Sequence, residues 1–239
     1  MANLKEVRTR INSVNSTMQI TSAMKMVSAS KLRKSQNAIV ALRPYASKLY
    51  EIMQNLSASM QSSSEGVYAS VHKENIEDEK ILLIPVASNK GLCGVFNVNV
   101  LRETINALKE DYKVQYEKGN VDILCISKKI EETLKFRKYN IIGNKNELLD
   151  RLTYKNAVTF AEKLMSDFAE KKYDRIIFIY NQFKNAGSQI LMKEQFLPIV
   201  SAQPVNEDDK FKNNDIEYIF QPSKEEILNS LIPKSLKLQ

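Results

Sequence analysis

The sequence contains no tryptophan, a single histidine and only two cysteines among its 239 residues. Cys93 and Cys125 do not have the short spacing that metal ligands usually show, and His72 is the only imidazole. These scarcities exclude a zinc site and favour a reduced protein without a metal ion.

Long hydrophobic runs are also missing. The apolar segments fall far short of the roughly 18 residues that a membrane-spanning helix needs, and the N-terminus has no apolar signal-peptide core. Met1–Val7 leads directly into a helical pattern, which argues against a removable transit peptide. We therefore expect the protein to stay in the compartment where it is made, without inserting into a membrane, and this favours a bacterium.

Glycine is absent before Gly66, and Pro44 is the only proline in this stretch. Apolar residues recur there at alternating intervals of three and four from Leu4 to Met60. Of the seventeen positions of this apolar seam, thirteen are apolar, and the exceptions are Thr21, Lys25, Ser28 and Ser35. The seam predicts a helix roughly 85 Å long that lies along another helix. Pro44 should kink this helix or mark a joint after Arg43.

A second apolar stripe replaces the seam where the seam becomes polar. Ile20, Met24 and Val27 form this stripe at positions i, i+4 and i+7. One residue corresponds to about 100° of rotation around a helix, so the apolar face turns away from the first companion helix. The stripe is either an ordinary irregularity of a coiled coil or the contact for an additional partner, for which flexible methionine is well suited.

Positive charge is concentrated in residues 1–50. That stretch has nine basic residues and one acidic residue, a net charge of +8, whereas the whole chain carries +7 and the remainder therefore −1. This imbalance predicts an acidic partner along the helix. A basic-zipper DNA reader would concentrate the charge in one block, and an interfacial membrane helix would carry Trp or Phe, so we expect neither nucleic acid nor membrane.

The remainder of the chain alternates between strand and helix patterns. Short apolar runs typical of buried parallel strands occur at 81–87, 121–126 and 175–180, and helical patterns occur at 97–112, 128–139 and 154–171. The first helical pattern directs Val98, Leu101, Ile105 and Leu108 to one face. The alternation predicts an α/β fold, with a Rossmann-like, mostly parallel sheet that has helices on its faces.

Shorter patterns complete the second half. We expect a short strand at 141–143, a hairpin of 182–183 and 189–192 around the turn 185–187, a loop at 201–215, and a last strand at 216–220. Ser223 and Glu226 form a capping box that opens a helix, which Pro233 should interrupt. The predicted divisions are a coiled-coil helix (1–60), a linker (61–79), an α/β domain (80–222) and the start of a C-terminal helix (223–239).

The turn Ser88–Gly94 follows the first strand, where α/β proteins often bind nucleotides. It matches neither Gly-x-Gly-x-x-Gly nor a Gly-Lys-Ser/Thr loop, so a tight strand-to-helix turn is favoured over a dinucleotide site. Cys93 would need a nearby base to act as a nucleophile, and His72 falls in the predicted linker. We expect no catalytic residue and no cofactor.

Two motifs resemble a known family. Residues 18–31 (MQITSAMKMVSASK) and Arg43-Pro44-Tyr45 resemble the N-terminal helix of the gamma subunits of F-type ATP synthases. Ser88–Gly94 with the following Val95-Phe96-Asn97 is similar to that family's second signature, and 217–236 to its approach to the C-terminal helix. The resemblance covers the whole chain in order.

The resemblance implies a central rotor stalk. Terminal helices would form an antiparallel coiled coil inside the hexamer of alpha and beta subunits, and the α/β domain would contact the epsilon subunit and the c-ring. Rotation would couple proton flow to ATP synthesis at the beta subunits, so this chain would be a non-catalytic subunit. It would lie, as a peripheral protein, on the cytoplasmic face of the bacterial inner membrane.

Ten residues are candidates for binding the alpha/beta hexamer. They are the basic residues Lys5, Arg8, Arg10, Lys31, Arg33 and Lys34, the apolar residues Ile20, Met24 and Val27, and Lys90. Acidic loops of the beta subunits would match the basic helix. At Lys90 the family usually has Asp-Arg; Asn89-Lys90 keeps the positive charge but loses the carboxylate and the bidentate guanidinium geometry of a salt bridge toward beta.

The family's chain continues for several helical turns beyond the part that matches Leu236–Gln239. We expect the present sequence to be a truncated gene product, although another molecule could supply the missing helix. A different class of function also stays open, namely a coiled-coil adaptor whose α/β domain binds a nucleotide.

Overall fold

The computed structural model describes residues 3–59, 76–150, 152–185, 187–199 and 224–238. The chain separates into two units, residues 1–52 and residues 53–239.

The helix α1 runs from Leu4 to Ser59 over 56 residues; it forms the first unit as far as Ile52, and its last seven residues belong to the second. Hydroxyl side chains inside the helix donate back to its own carbonyl groups, as Thr9 does to Lys5 at 2.9 Å, so they do not interrupt it. The helix also continues through Pro44, and the predicted joint after Arg43 is therefore wrong. A proline removes one backbone hydrogen bond, and intact turns on both sides maintain the helix. A kink at this position stays a prediction.

Five strands lie within the described residues of the second unit. They are β1 (Ile81–Pro85), β2 (Val121–Cys125), β3 (Gly143–Asn144), β4 (Arg175–Asn185) and β5 (Ser188–Leu197). Their order in the sheet is β3-β2-β1-β4-β5; β5 runs antiparallel to β4, and all other neighbours are parallel. The predicted mostly parallel sheet with an antiparallel hairpin at its edge is confirmed.

Helices cover both faces of this sheet. They are α2 (Phe96–Asn106), α3 (Lys113–Glu117), α4 (Lys128–Phe136), α5 (Glu147–Asp150), α6 (Tyr154–Ala169) and α7 (Lys224–Leu236). Successive residues of β1 point to opposite faces, so Leu83 packs with α2 and α4, whereas Ile84 packs with α6 and α7. All five residues of β1 are buried, as expected for a central strand covered on both sides.

The predicted helix over 97–112 is interrupted. After Asn106 the backbone forms one π-helical turn, Ala107–Asp111, in which the Tyr112 N–H donates to the Ala107 carbonyl at 2.9 Å. The predicted inward position of Val98 is wrong, since this side chain is 48% exposed and Val100 is fully buried instead. Thr104 is buried as well because its hydroxyl donates to the Val100 carbonyl at 2.8 Å.

Two further expectations differ from the structure. The short strand lies at Gly143–Asn144, shifted from the predicted 141–143, because these two residues pair with the end of β2. Pro233 does not interrupt α7, which continues to Leu236 and buries that side chain against the α6 face. The linker residues 61–75, the loop 201–215, the strand 216–220 and the capping residue Ser223 lie outside the described residues.

Candidate functional site

The six basic candidates on α1 form two groups along the helix. They are Lys5, Arg8 and Arg10 in the first group and Lys31, Arg33 and Lys34 in the second, all of them exposed. None of them forms an ion pair with another described residue. Roughly 30 Å of helix separates the two groups. Lys25 is the only charged residue between them, so the helix presents two positive bands rather than one continuous stripe.

The apolar candidates lie between these bands and are uncovered. Ile20 is 62% exposed, Met24 51% and Val27 57%. The seam position beside them, Thr21, donates its hydroxyl to the Met18 carbonyl at 3.0 Å and therefore needs no polar partner from outside. Exposed apolar residues in a row usually mark a binding surface.

The turn after β1 is tied to the first turn of α2. The Ser88 N–H donates to Asn97 Oδ1 at 3.0 Å, and the Asn97 amide donates in return to the Lys90 carbonyl at 3.2 Å. The Lys90 N–H donates to Ser88 Oγ at 3.1 Å. The side chains of Ser88 and Asn97 thus close Ser88–Gly94 as a tight strand-to-helix turn, the conformation that the sequence predicted.

The same turn is tied to the N-terminus of α4. Ser127 caps that helix by accepting from the Ile130 N–H at 3.3 Å, and its hydroxyl donates to the Ser88 carbonyl at 2.9 Å. The Lys128 N–H donates to Asn89 Oδ1 at 2.9 Å. Phosphate sites in α/β folds depend on free backbone N–H groups at such a helix start. Here the N–H groups of Lys90, Lys128 and Ile130 are already used, which speaks against a nucleotide at this turn.

The tip of the turn is exposed. Leu92 is 97% exposed and has a φ of 60°, a backbone conformation that residues with a side chain rarely adopt. Lys90 is exposed too and forms no ion pair with the described residues. A cavity of 310 Å³ opens beside the tip, between Cys93, Asn97 and the α4 residues Lys129 and Thr133.

The thiol and the ammonium that line the cavity both have partners within the chain. The Cys93 thiol donates to the Lys90 carbonyl at 3.7 Å, and Lys129 pairs with Glu132 at 2.9 Å. The other cysteine, Cys125, is fully buried, and desolvation raises the pKa of its thiol to about 12. Across the described ranges, histidine, cysteine, aspartate and glutamate side chains form no group that could hold a metal ion.

Sequence reasoning missed one cluster, centred on Glu131 of α4. Glu131 Oε1 accepts from the Lys135 ammonium at 2.6 Å and from the Asn144 amide at 2.9 Å. Glu131 Oε2 accepts from the Asn146 amide at 2.6 Å. The hydrogen bond from Lys135 is the main reason why the pKa of Glu131 lies below its usual value, and the two asparagine amides add to it against the effect of burial. The only sequence signal was an acidic residue directly beside the core residue Ile130.

Within the described part of the chain, no helix combines the length and the apolar character required to cross a membrane.

The chain is similar to known proteins in sequence and in fold. The family model described as ATP synthase matches residues 3–239. The ATP synthase gamma chains of Christiangramia forsetii and Flavobacterium johnsoniae are each 48% identical to this chain, over 100% of it and 78% of their own length. The solved central stalk and c-ring of the Tetrahymena thermophila mitochondrial ATP synthase includes a chain with the same fold, at a TM-score of 0.63 and 22% identity, covering 92% of this chain and 88% of that one. The chain therefore belongs to the ATP synthase gamma chain family, and the resemblance seen in residues 18–31 is confirmed.

Proposed function

We propose that this chain is the central rotor-stalk subunit of a proton-translocating ATP synthase and that it turns inside a hexamer of alpha and beta subunits. The observation that carries the proposal is α1, a single helix of 56 residues that exposes its two positive bands and the apolar stripe of Ile20, Met24 and Val27. As a non-catalytic subunit, the chain would couple proton flow to ATP synthesis at sites on the beta subunits.

The distribution of side chains on α1 supports this role. A shaft that turns inside a ring meets different neighbours in succession, and the stripe of Ile20, Met24 and Val27 is rotated away from the seam above and below it. The two positive bands would meet acidic loops of the beta subunits. Such contacts between exposed charges are individually weak, so they permit rotation.

The α/β unit would make the remaining contacts of the stalk, with the epsilon subunit and the c-ring. The bonded N–H groups of Lys90 and Lys128 beside the turn after β1 disfavour a nucleotide there, and the Cys93 thiol is bonded to the Lys90 carbonyl. We place the complex on the cytoplasmic face of a bacterial inner membrane, with this chain as a peripheral component.

The direct test is assembly. The chain is mixed with ATP synthase alpha and beta subunits, and native mass spectrometry measures the composition of the product. We expect one copy of the chain in each hexamer. Failure to join any hexamer would contradict the proposal, and retention of a nucleotide by the isolated chain would favour the adaptor function instead.

A further inference from the structure

The side chain of Asn89 joins three segments of the α/β unit. Its amide donates to the Asn146 carbonyl at 3.0 Å and lies 3.4 Å from an Asp150 carboxylate oxygen, and its Oδ1 accepts from the Lys128 N–H at 2.9 Å. These contacts connect the end of β1 with the start of α4 and with the segment that runs from β3 through α5. We call this arrangement the Asn89 joint.

The chemistry of the partners fixes the orientation of the amide. A backbone carbonyl can only accept a hydrogen bond, and a backbone N–H can only donate one. Rotating the Asn89 amide by 180° would place its oxygen against the Asn146 carbonyl and its nitrogen against the Lys128 N–H. The joint therefore requires a side chain that donates and accepts at the same time.

Glu131 supports the joint from the other side. Its carboxylate accepts from the side chain of Asn146 at 2.6 Å, and the carbonyl of the same Asn146 receives the Asn89 amide. The Asn144 amide adds a second bond to Glu131 at 2.9 Å. The segment after β3, which Asn89 contacts through the Asn146 carbonyl, is thus also bonded to α4 independently of Asn89.

Asn89 directly precedes the exposed tip of the turn in the sequence. After the tip, the side chain of Asn97 donates to the Lys90 carbonyl at 3.2 Å. Leu92, at the tip, is almost fully exposed in a left-handed backbone conformation. Such a conformation persists when the surrounding structure enforces it, and it is concentrated at binding and switching sites.

We propose that Asn89 is a positioning residue, which holds the turn Lys90–Gly94 in one conformation by bonding α4 and the segment after β3 at once. The positioning itself follows from the geometry of the isolated chain. Its consequence, that the ordered tip favours assembly into the hexamer, rests on the proposed function.

Two substitutions separate this role from general stability. Asn89→Ala removes every bond of the side chain, whereas Asn89→Asp keeps an acceptor for the Lys128 N–H but loses the donor for Asn146. In its ionised form the new carboxylate also faces Asp150. When protonated, it regains one O–H donor, so only the aspartate variant can recover the joint in acid.

The charged groups around the new carboxylate set the direction of the pH effect. Asp150 on α5 and the Asn146 carbonyl oppose its ionisation, and Glu131 of α4 adds negative charge behind Asn146, whereas the bonded Lys128 N–H and the cations Lys90 and Lys128 favour it. We expect the two acceptors in direct contact to outweigh the single N–H donor and the solvent-screened cations, and so to raise the pKa of the new carboxyl above the usual value of about 4. The joint should therefore be present at low pH and be lost as the pH rises through that raised pKa.

The readout is hydrogen–deuterium exchange of the amides of residues 90–95 in the full chain, each variant being compared with the wild type at the same pH. At pH about 7, both variants should exchange about fivefold faster, the effect of one net hydrogen bond. At pH about 4.5, Asn89→Asp should approach the wild-type rate, and Asn89→Ala should not. The variant Asp150→Asn, which keeps Asn89, is the control for the charge beside the joint, and its exchange relative to the wild type should not change between the two pH values.

Each possible result decides the question. Unchanged exchange in both variants, or equal behaviour of both in acid, would overturn the proposal. Failure of both variants to fold, measured by circular dichroism, would show a general role in the fold and would overturn it too. If the exchange results hold but both variants assemble with alpha and beta subunits like the wild type, positioning stands and its link to assembly is wrong. If even the wild type fails to assemble, the proposed function fails and the positioning does not.

Discussion

Arg175 lies against the carboxylate of Glu79, with its Nε 2.9 Å from Oε2 and its Nη2 donating to Oε1 at 3.2 Å. The Glu79 side chain is only 8% exposed, whereas that of Arg175 is 32% exposed. Glu79 precedes β1 by two residues and Arg175 begins β4, where it pairs with Ile81. The ion pair therefore connects the first residue of β4 to the segment directly before β1 and supports the pairing of these two strands at their starts.

Removing the charge of Glu79 should destabilise the α/β unit. Glu79→Gln leaves the half-buried guanidinium without its anion, and we expect a loss of about 1–3 kcal/mol in the free energy of unfolding, below the full range for a buried pair because Arg175 reaches solvent. Urea unfolding measures the change. The matched control is Glu117→Gln, which removes the exposed pair with Lys113 and should cost at most about 0.5 kcal/mol. Equal losses would mean that burial of Glu79 has no special effect.

The second positive band of α1 should be needed for assembly. Reversing Lys31, Arg33 and Lys34 to Glu replaces attraction for an acidic partner by repulsion, and we expect binding to the alpha/beta hexamer to weaken by about tenfold or more at low salt. Titration of labelled chain into alpha/beta hexamers measures the affinity.

A matched variant separates position from net charge. Lys109, Lys155 and Lys163 are exposed lysines of the α/β unit, and their reversal changes the net charge by a similar amount. This control should bind like the wild type. Unchanged ATP-driven proton pumping in the α1 variant would count against an acidic partner along the helix.

The apolar stripe should matter for coupling more than for folding. Met24 is 51% exposed, so Met24→Lys should change the free energy of unfolding by at most about 0.5 kcal/mol. In the assembled complex the new charge would lie in a contact, and ATP-driven proton pumping should fall relative to ATP hydrolysis. Met26→Lys is the control, because Met26 is 71% exposed and lies off the stripe. The same loss of pumping in both variants, or a loss of folding with Met24→Lys, would contradict the assignment.

Periodicity predicted the strands and helices because burial against a central sheet leaves a direct mark on the sequence. The apolar run of β1 and the spacing of Ile130 and Leu134 are such marks, and these residues are buried as expected. Val98 was misplaced because the buried face of α2 runs through Val100, Thr104 and Ala107, and a buried threonine breaks the apolar pattern that spacing rules follow.

The candidate site was predicted less completely, for a physical reason. The exposed residues of α1 follow from composition and helix geometry alone. The Asn89 joint depends on a side chain that meets a main-chain carbonyl 57 positions away, and a main-chain partner leaves no residue type to recognise. Pro44 and Pro233 show the opposite error, since a local rule predicted breaks that the neighbouring helical turns prevent.

Acid should weaken the cluster around Glu131. Its pKa in the folded protein is lowered, first by the hydrogen bond from Lys135, so the carboxylate contributes stability that is present above its unfolded pKa. This contribution is lost as the pH falls from about 5 through the lower folded value. Urea unfolding at a series of pH values should show the loss in the wild type.

Replacing Glu131 by Gln tests whether this group is responsible. Glu131→Gln should be less stable near neutral pH, because an amide cannot accept from Lys135, Asn144 and Asn146 as a carboxylate does. Its stability should also fall less between pH about 5 and about 3, since the titrating group is gone. Glu132→Gln is the control, because its pair with Lys129 is half exposed and screened by solvent. If the Glu132 variant flattens the pH dependence as much as the Glu131 variant, the cluster has no special part in acid stability.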